Sequence, residues 1–600
     1  MDTQQLFGEG ARRTNGSDAR RYNLLAARLI AEIVSNCLGP RGLDKMFTDV
    51  LGELTITKDG ATILRKIDVD HPAAKILIEA SNAVDNEVGD GTTSVVILAG
   101  ALTEKAEKLL DMGISPATIV EGYANSLKIA LEALQDFSQS CDNTDRNIML
   151  KLAVTCLQSK ILSYSGDYIA KLIVDAVDAI ADFSSNTIEP DDIKIEEKPG
   201  NILDTQFVKG IVIDKTIDST GMPKMINNAK IMLIDDELEG KRTKVEAEIQ
   251  VNSPDQIWSF KDRENLMIRS KIQHIIDSGA NVIISRKGIN TLAQHMLTQA
   301  GIISVRRVKE NDLLWLAKAT GASISEKLSH RGDNQGHGHS HTHHHRNDNH
   351  KHENTHDPHD KDLHYHHGDI DIKLGYAERV YEKFLGDDRM VFIEGCKNPK
   401  SVTLLLRANS KEVLAECHRS VLDAINVLKD FIIKPSIVSG GGCTEMAIAK
   451  IVKEKASQIA VREQIVIQKF AEALEEIPLT IARNAGMNVI DTLAELRLKN
   501  YLSSGNASSI YGVDAIERRI KVMFPYVIEP SVVKEQIIKT AVEVTNMLIR
   551  VDDVLMAKPT IYTHTHADGT KHSHADGEKK HEHDYFDRLG KLQRPAHHYY

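Results

Sequence analysis

A change of periodicity along the chain constrains its fold more than any single motif. From Ala19 to Cys37, the apolar residues Leu24, Leu25, Ala27, Leu29, Ile30, Ile33 and Val34 form the stripe of an amphipathic helix. The pattern stays helical over 116–137 and 144–185. Near Gly200 it gives way to short Val- and Ile-rich runs at 202–214, 229–234 and 280–284, bounded by turn residues. Helical stretches at 288–300 and 312–320 separate these strands, and helix resumes after Lys411. Helix-rich ends around an α/β centre imply a helical domain made from both chain ends, with the centre inserted into it. At 600 residues the chain is too long for one core, so several domains are expected.

Charged residues make up 26% of the chain, with acids and bases interspersed and a net charge of -11, which argues against nucleic acid or an anionic membrane surface as the main partner. No apolar run reaches the length of a bilayer span, and 1–16 is polar and charged, so a soluble cytoplasmic protein is expected. The six cysteines are dispersed without a CxxC pair and read as small buried apolar residues, neither disulfide nor zinc site.

The stretch Glu87–Ser94, EVGDGTTS, carries the chemistry. Its glycines let the backbone turn tightly and bring N–H groups against an anion. Asp90 can face a hard cation, and Thr92 and Thr93 can donate to phosphate oxygens. Read locally, it is a Mg-phosphate cradle opening a helix, an ordinary turn or a calcium loop. A second acid-glycine turn, Lys58-Asp59-Gly60, follows the strand 54–57 and feeds the helical 61–66. Two such turns suit a grip on one Mg-nucleotide from two sides. Further on, a strand runs into the triple glycine 440–442.

Two kinds of segment stand apart. Glu239–Gln273 mixes Val245, Ile249, Val251, Ile257, Trp258, Phe260, Leu266 and Met267 with Lys and Glu, the pattern of a protruding amphipathic element or of a surface helix packed on its own domain. Most of the 26 histidines lie in two tracts, at about 330–368 and at 564–586. Both lack the apolar content for a core and read as disordered. Dense imidazoles can bind Ni2+ or Zn2+, but without fixed ligand spacing no site can be named.

Taken in order, LGPRGLDKM at 38–46, ITKDGATIL at 56–64, DVDHPAAK at 68–75, GDGTTS at 89–94, EGCKNPKSVTLLLR at 394–407, SGGG at 439–442 and VIEP at 527–530 resemble the signature set of the group II chaperonins, the archaeal thermosome and the eukaryotic cytosolic chaperonin. The resemblance runs from about Gly8 to about Leu555. It implies a mainly α equatorial domain (1–149 and 435–555), a small α/β intermediate hinge domain (150–210 and 402–434) and an α/β apical domain (211–401). The apical domain would carry a lid protrusion at about 239–273 and the histidine-rich insert, and 556–600 would be a disordered tail. The implied function is an ATP-dependent folding chaperone: a double-ring ATPase with a built-in lid that encloses unfolded polypeptides. The alternative is a metal-buffering or metal-delivery assembly on the same scaffold.

Residue by residue, the resemblance makes Leu38, Gly39 and Pro40 the first phosphate loop and Asp90 the Mg2+ ligand. Gly91, Thr92, Thr93 and Ser94 become phosphate-binding residues, and Asp59 with Gly60 the partner turn, Asp59 acting near the γ-phosphate and the attacking water. Gly441 would lie against the nucleoside, and Glu529 would accept from ribose hydroxyls. Asp423, which periodicity alone reads as a solvated helix aspartate, becomes the general base, and Lys160 the γ-phosphate sensor. Both would arrive from the intermediate domain, with Gly210 as a pivot. The helix in 288–301 would contact clients through Ile289, Leu292, Met296 and Leu297, although some of these must pack on a sheet. The chain departs from the family pattern at Lys58, Ser94, Ala408-Asn409 and Phe524-Pro525-Tyr526; none of these removes an acid from the site.

Overall fold

The computed structural model describes residues 12–48, 52–160, 165–239, 254–326, 373–386, 388–397, 399–459, 461–502, 509–556, 562–565 and 571–574. Buried apolar residues gather into three large clusters, and the order in which the chain visits them defines the architecture.

The first cluster draws on 24–137 and again on 438–549. Its pillar is the helix Thr92–Asp111, buried without a break from Ser94 to Thr103, as a helix surrounded on all sides must be. The helices Gly16–Ser35, Pro116–Phe137, Val461–Leu474 and Ser531–Arg550 pack around it. Gly100 lets the first of these approach closely: a Cβ there would lie 2.3 Å from Ala31 Cβ. The strands Arg12–Asn15 and Asp553–Met556 pair antiparallel, and Arg13 bonds Asp553 at 2.6 Å. The far ends of the chain are thus stitched into one body.

The second cluster, within 211–396, lies on a seven-stranded mixed sheet. Its spatial order is Ile303–Val305, Val282–Ser285, Met225–Ile234, Gly375–Leu385, Asp388–Glu394 and Gly210–Ile213, with Ile324–Ser325 also on Met225–Ile234. The third cluster joins the helices Arg146–Gln158, Gly166–Ile180 and Lys411–Ile433 to a three-stranded sheet of Ile193–Pro199, Val402–Ala408 and Gln206–Val208. Lys209 alone separates Gln206–Val208 from Gly210–Ile213 in the neighbouring sheet. Gly210 has φ +148°, and a Cβ there would sit 2.0 Å from Ile393 O, so the crossing point requires glycine.

Of the segment expected to protrude, 240–253 lies outside the described residues. The remainder is the helix Pro254–Asp277, in which Ile268, Ile272 and Ile275 are buried in the second core while Leu266 and Met267 are exposed. Its C-terminal half therefore packs on its own sheet. The insert 330–368 lies outside the described residues. Of the expected tail, Tyr562–Thr565 and Lys571–His574 pair antiparallel, and 557–561, 566–570 and 575–600 lie outside the described residues.

Candidate functional site

A cleft of about 400 Å³ opens in the first body, walled by the loop Leu38–Pro40, the turn at Asp90–Gly91, Ser94, the glycines Gly441 and Gly442, and Glu529. Its geometry begins with glycine. Helix Pro72–Val88 ends at Gly89 (φ +66°), and helix Thr92–Asp111 starts from Gly91 (φ +84°), so two left-handed residues bracket Asp90 and reverse the chain. The Gly91 N–H donates to Asp90 Oδ1 at 2.7 Å. Among the described residues no side chain caps the start of this helix, nor that of Cys443–Ala456, which begins from Gly442 at φ +78°. Two uncapped helix N-termini facing one cleft are suited to an anion such as a phosphate chain.

The Asp59 turn feeds helix Gly60–Lys66, and Asp59 itself caps it. Thr62 N–H donates to its Oδ2 at 2.8 Å, Ala61 N–H to Oδ1 at 3.3 Å and the Thr92 hydroxyl to Oδ1 at 3.0 Å. Burial opposes its ionisation, but the bonds from Thr62 and Thr92 and the charge of Lys160 outweigh that and hold the carboxyl below its ordinary range. Gly60 lies against Thr93; a Cβ there would be 2.7 Å from Thr93 Oγ1 and 2.8 Å from Thr93 N. The two acid-glycine turns are thus one packed unit.

Lys160 and Asp423 come from the third core. Lys160 follows helix Arg146–Gln158, and Asp423 is midway along Lys411–Ile433; the ammonium donates to Asp423 Oδ2. Their side chains are 10% and 15% exposed, so the solvated reading of Asp423 fails. Burial pushes Asp423 up to about 7; Lys160 opposes the shift, and the negative charges of Asp59 and Asp90 add to it. Lys160 is raised despite burial, chiefly by the charge of Asp423, and stays an ammonium. The helix is seated on the Asp90 turn: a Cβ at Gly89 would lie 2.4 Å from Asn426 Cβ, and Lys429 Nζ donates to Glu87 O at 3.5 Å.

On the far wall, Gly441 (φ +67°) passes close to Met523 and to Val513 O, and the Val513 N–H donates to Gly441 O at 2.9 Å. Glu529 sits on a strand paired to Ser436–Ser439 and accepts from Lys534 Nζ at 2.7 Å, which also donates to Glu445 Oε1 at 2.7 Å. The sequence reading missed Lys534 and Glu445, and it missed Asn484, whose amide donates to Leu38 O and Ser35 O at 2.9 Å and pins the first loop. The signal for Lys534 was a charge among Val533, Ile537 and Ile538 on a core-facing helix.

The donor set fits Mg2+. Among the described residues there is no group of three or more His, Cys, Asp or Glu that would cage a metal. One carboxylate, Asp90, beside helix N-termini suited to a phosphate chain would suit a cation that keeps water and takes its other ligands from phosphates. Nothing in the described residues favours a Ni2+ or Zn2+ site, and no described helix is long and apolar enough to cross a membrane.

Comparison with known proteins places the chain among its relatives. Residues 30–559 match the TCP-1/cpn60 chaperonin family. The chain is 41% identical over 557 residues to thermosome subunit alpha of Archaeoglobus fulgidus, covering 92% of this chain and 94% of that one. It is 41% identical to the thermosome subunit of Pyrococcus horikoshii, with the same coverage. To thermosome subunit alpha of Saccharolobus solfataricus it is 39% identical, over 94% of this chain and 96% of that one. With a family match over residues 30–559 and relatives about 40% identical covered almost end to end, the chain belongs to the TCP-1/cpn60 chaperonin family.

Proposed function

We propose that this chain is an ATP-hydrolysing subunit of a group II chaperonin, one that couples hydrolysis to the folding of enclosed polypeptides. The observation that carries the reading is the Lys160–Asp423 pair, from one core, on a helix seated against the Asp90 turn of another, near enough for the charges of Asp59 and Asp90 to act on Asp423. Phosphoryl transfer to water needs charge neutralisation, a held water and little covalent chemistry. Mg2+, when bound, supplies part of that neutralisation. Gly39, in the loop Leu38–Pro40, and Gly91, Thr92, Thr93 and Ser94 hold the phosphates through N–H and hydroxyl donors, Leu38 and Pro40 shape that loop, and Asp90 would be the protein ligand to the cation. Asp59 orients the water, Asp423 takes its proton, and Lys160 balances charge at the terminal phosphate.

In this reading the first body is the equatorial domain, the third the intermediate hinge and the second the apical domain, with subunits assembling into stacked rings. Because the site is complete only when the hinge helix sits on the Asp90 turn, nucleotide state biases hinge position, with Gly210 at the crossing between sheets. Exposed Leu266 and Met267 offer apolar surface to unfolded clients. In and beside the helix Thr291–Gln299, Ile289 and Leu297 are buried in their own core, the packing share expected of this stretch, and Leu292 and Met296 are only partly buried.

The reading is tested by refolding a chemically denatured client with the assembled protein. Recovery should rise with ATP and Mg2+ and fall to the unassisted level with a non-hydrolysable analogue. Recovery indifferent to nucleotide would overturn it.

A further inference from the structure

Lys534 is 6% exposed and Glu445 2%, whereas Glu529 keeps 25% of its side chain accessible at the wall of the cleft. One ammonium serves both carboxylates at 2.7 Å, and Glu445 Oε2 is buried with no hydrogen-bond partner among the described residues. As a stabilising device this is a poor arrangement: two acids share one base in an apolar helix face, where apolar side chains would pack as well. It does fix Glu529. The backbone is held by pairing of Glu529 with Val438, Oε2 is held by Lys534, and Oε1 lies over Gly440, where a Cβ would be 2.6 Å from it. Only a glycine at 440 leaves room for the carboxylate in this pose.

We propose that Lys534, backed by Glu445, is a positioning residue that keeps the Glu529 carboxylate ionised and turned toward the sugar of a bound ribonucleotide, so that discrimination between ribose and deoxyribose depends on Lys534. This rests on the reading of Glu529 as the ribose acceptor. A hydroxyl donated to a fixed, charged acceptor discriminates strongly, because its loss leaves the acceptor unpaired in a site built for it. The same carboxylate, free to rotate or protonated, loses that leverage. Burial, the largest influence on Glu529, raises its pKa, and Lys534 opposes that rise.

The test is equilibrium binding of ADP, 2′-deoxy-ADP and 3′-deoxy-ADP to the full-length assembled protein by calorimetry, so that no turnover enters the readout. The unaltered protein should prefer ADP over at least one deoxy form by about tenfold or more. Lys534→Met should bring that ratio to within about twofold of unity. A merely structural role would weaken all three nucleotides alike and leave the ratio in place. The double variant Lys534→Met with Glu445→Leu replaces the buried pair by apolar volume and serves where the single variant fails to assemble; the same loss of ratio is expected. A retained ratio in either variant, with Glu529→Gln losing it, would overturn the role of Lys534 while leaving Glu529 as the sugar acceptor. A retained ratio in Glu529→Gln would overturn the sugar reading itself.

Discussion

The ammonium of Lys160 touches the carboxylate of Asp423, 263 residues further along the chain, and both lie beside Asp59, which belongs to a different core. Three segments that share no local sequence relation thus build one polar centre. Its charges determine when it can act.

The first consequence is a pH dependence. In the proposed mechanism Asp423 must be ionised to accept a proton, and burial raises it to about 7 against the opposing charge of Lys160. The hydrolysis parameter kcat/KM should therefore climb with pH through a midpoint near 7. Lys160→Ala removes the influence that lowers Asp423, so the midpoint should move up by about one unit or more. A pH–rate profile with an unmoved midpoint would contradict the coupling.

Gly60→Ala tests the packed unit of the two turns. The added methyl would lie 2.8 Å from Thr93 N and must push the Asp59 turn off the Thr92–Ser94 helix end. Overpacking of about 1–3 kcal/mol, felt where phosphate is held, should weaken ATP binding roughly tenfold to a hundredfold. Calorimetric affinity equal to that of the unaltered protein would show that the turns need not touch.

Asp430 lies two turns beyond Asp423 on the same helix, buried, with Oδ2 lacking a partner among the described residues. Burial pushes its carboxyl up to about 7, Lys429 opposing and Glu87 and Asp90 adding. The folded state thus holds this proton more tightly than the unfolded chain. The contribution to stability is full below the ordinary carboxylate range and is lost as pH rises through about 7. Asp430→Asn should raise the melting temperature at pH 8, by the equivalent of about 1–3 kcal/mol, and show little of that gain near pH 4. A gain that grows on acidification would reverse the sign and refute the argument.

What could be read from sequence was local. Helix Pro116–Phe137 was legible to the residue because Pro116 opens it and Ser115 caps it. The helix read as 288–300 starts instead at Thr291, since Asn290 supplies the cap. The Asp59 and Asp90 turns announce themselves through acid, glycine and threonine side by side. Asp423 does not, because a polar residue on a periodic helix carries no sign of a partner arriving from Lys160. Lys534 was silent for a related reason: its two carboxylates come from a strand and from another helix, and only the fold brings them to one point.

The central claim is that the ATP site is finished by a carboxylate from another domain. Single-turnover hydrolysis by the assembled Asp423→Ala protein tests it most directly. We predict that ATP binds at full stoichiometry while the hydrolysis rate falls by on the order of two to four decades. Near-normal turnover in a homogeneous ring of that variant would contradict the account.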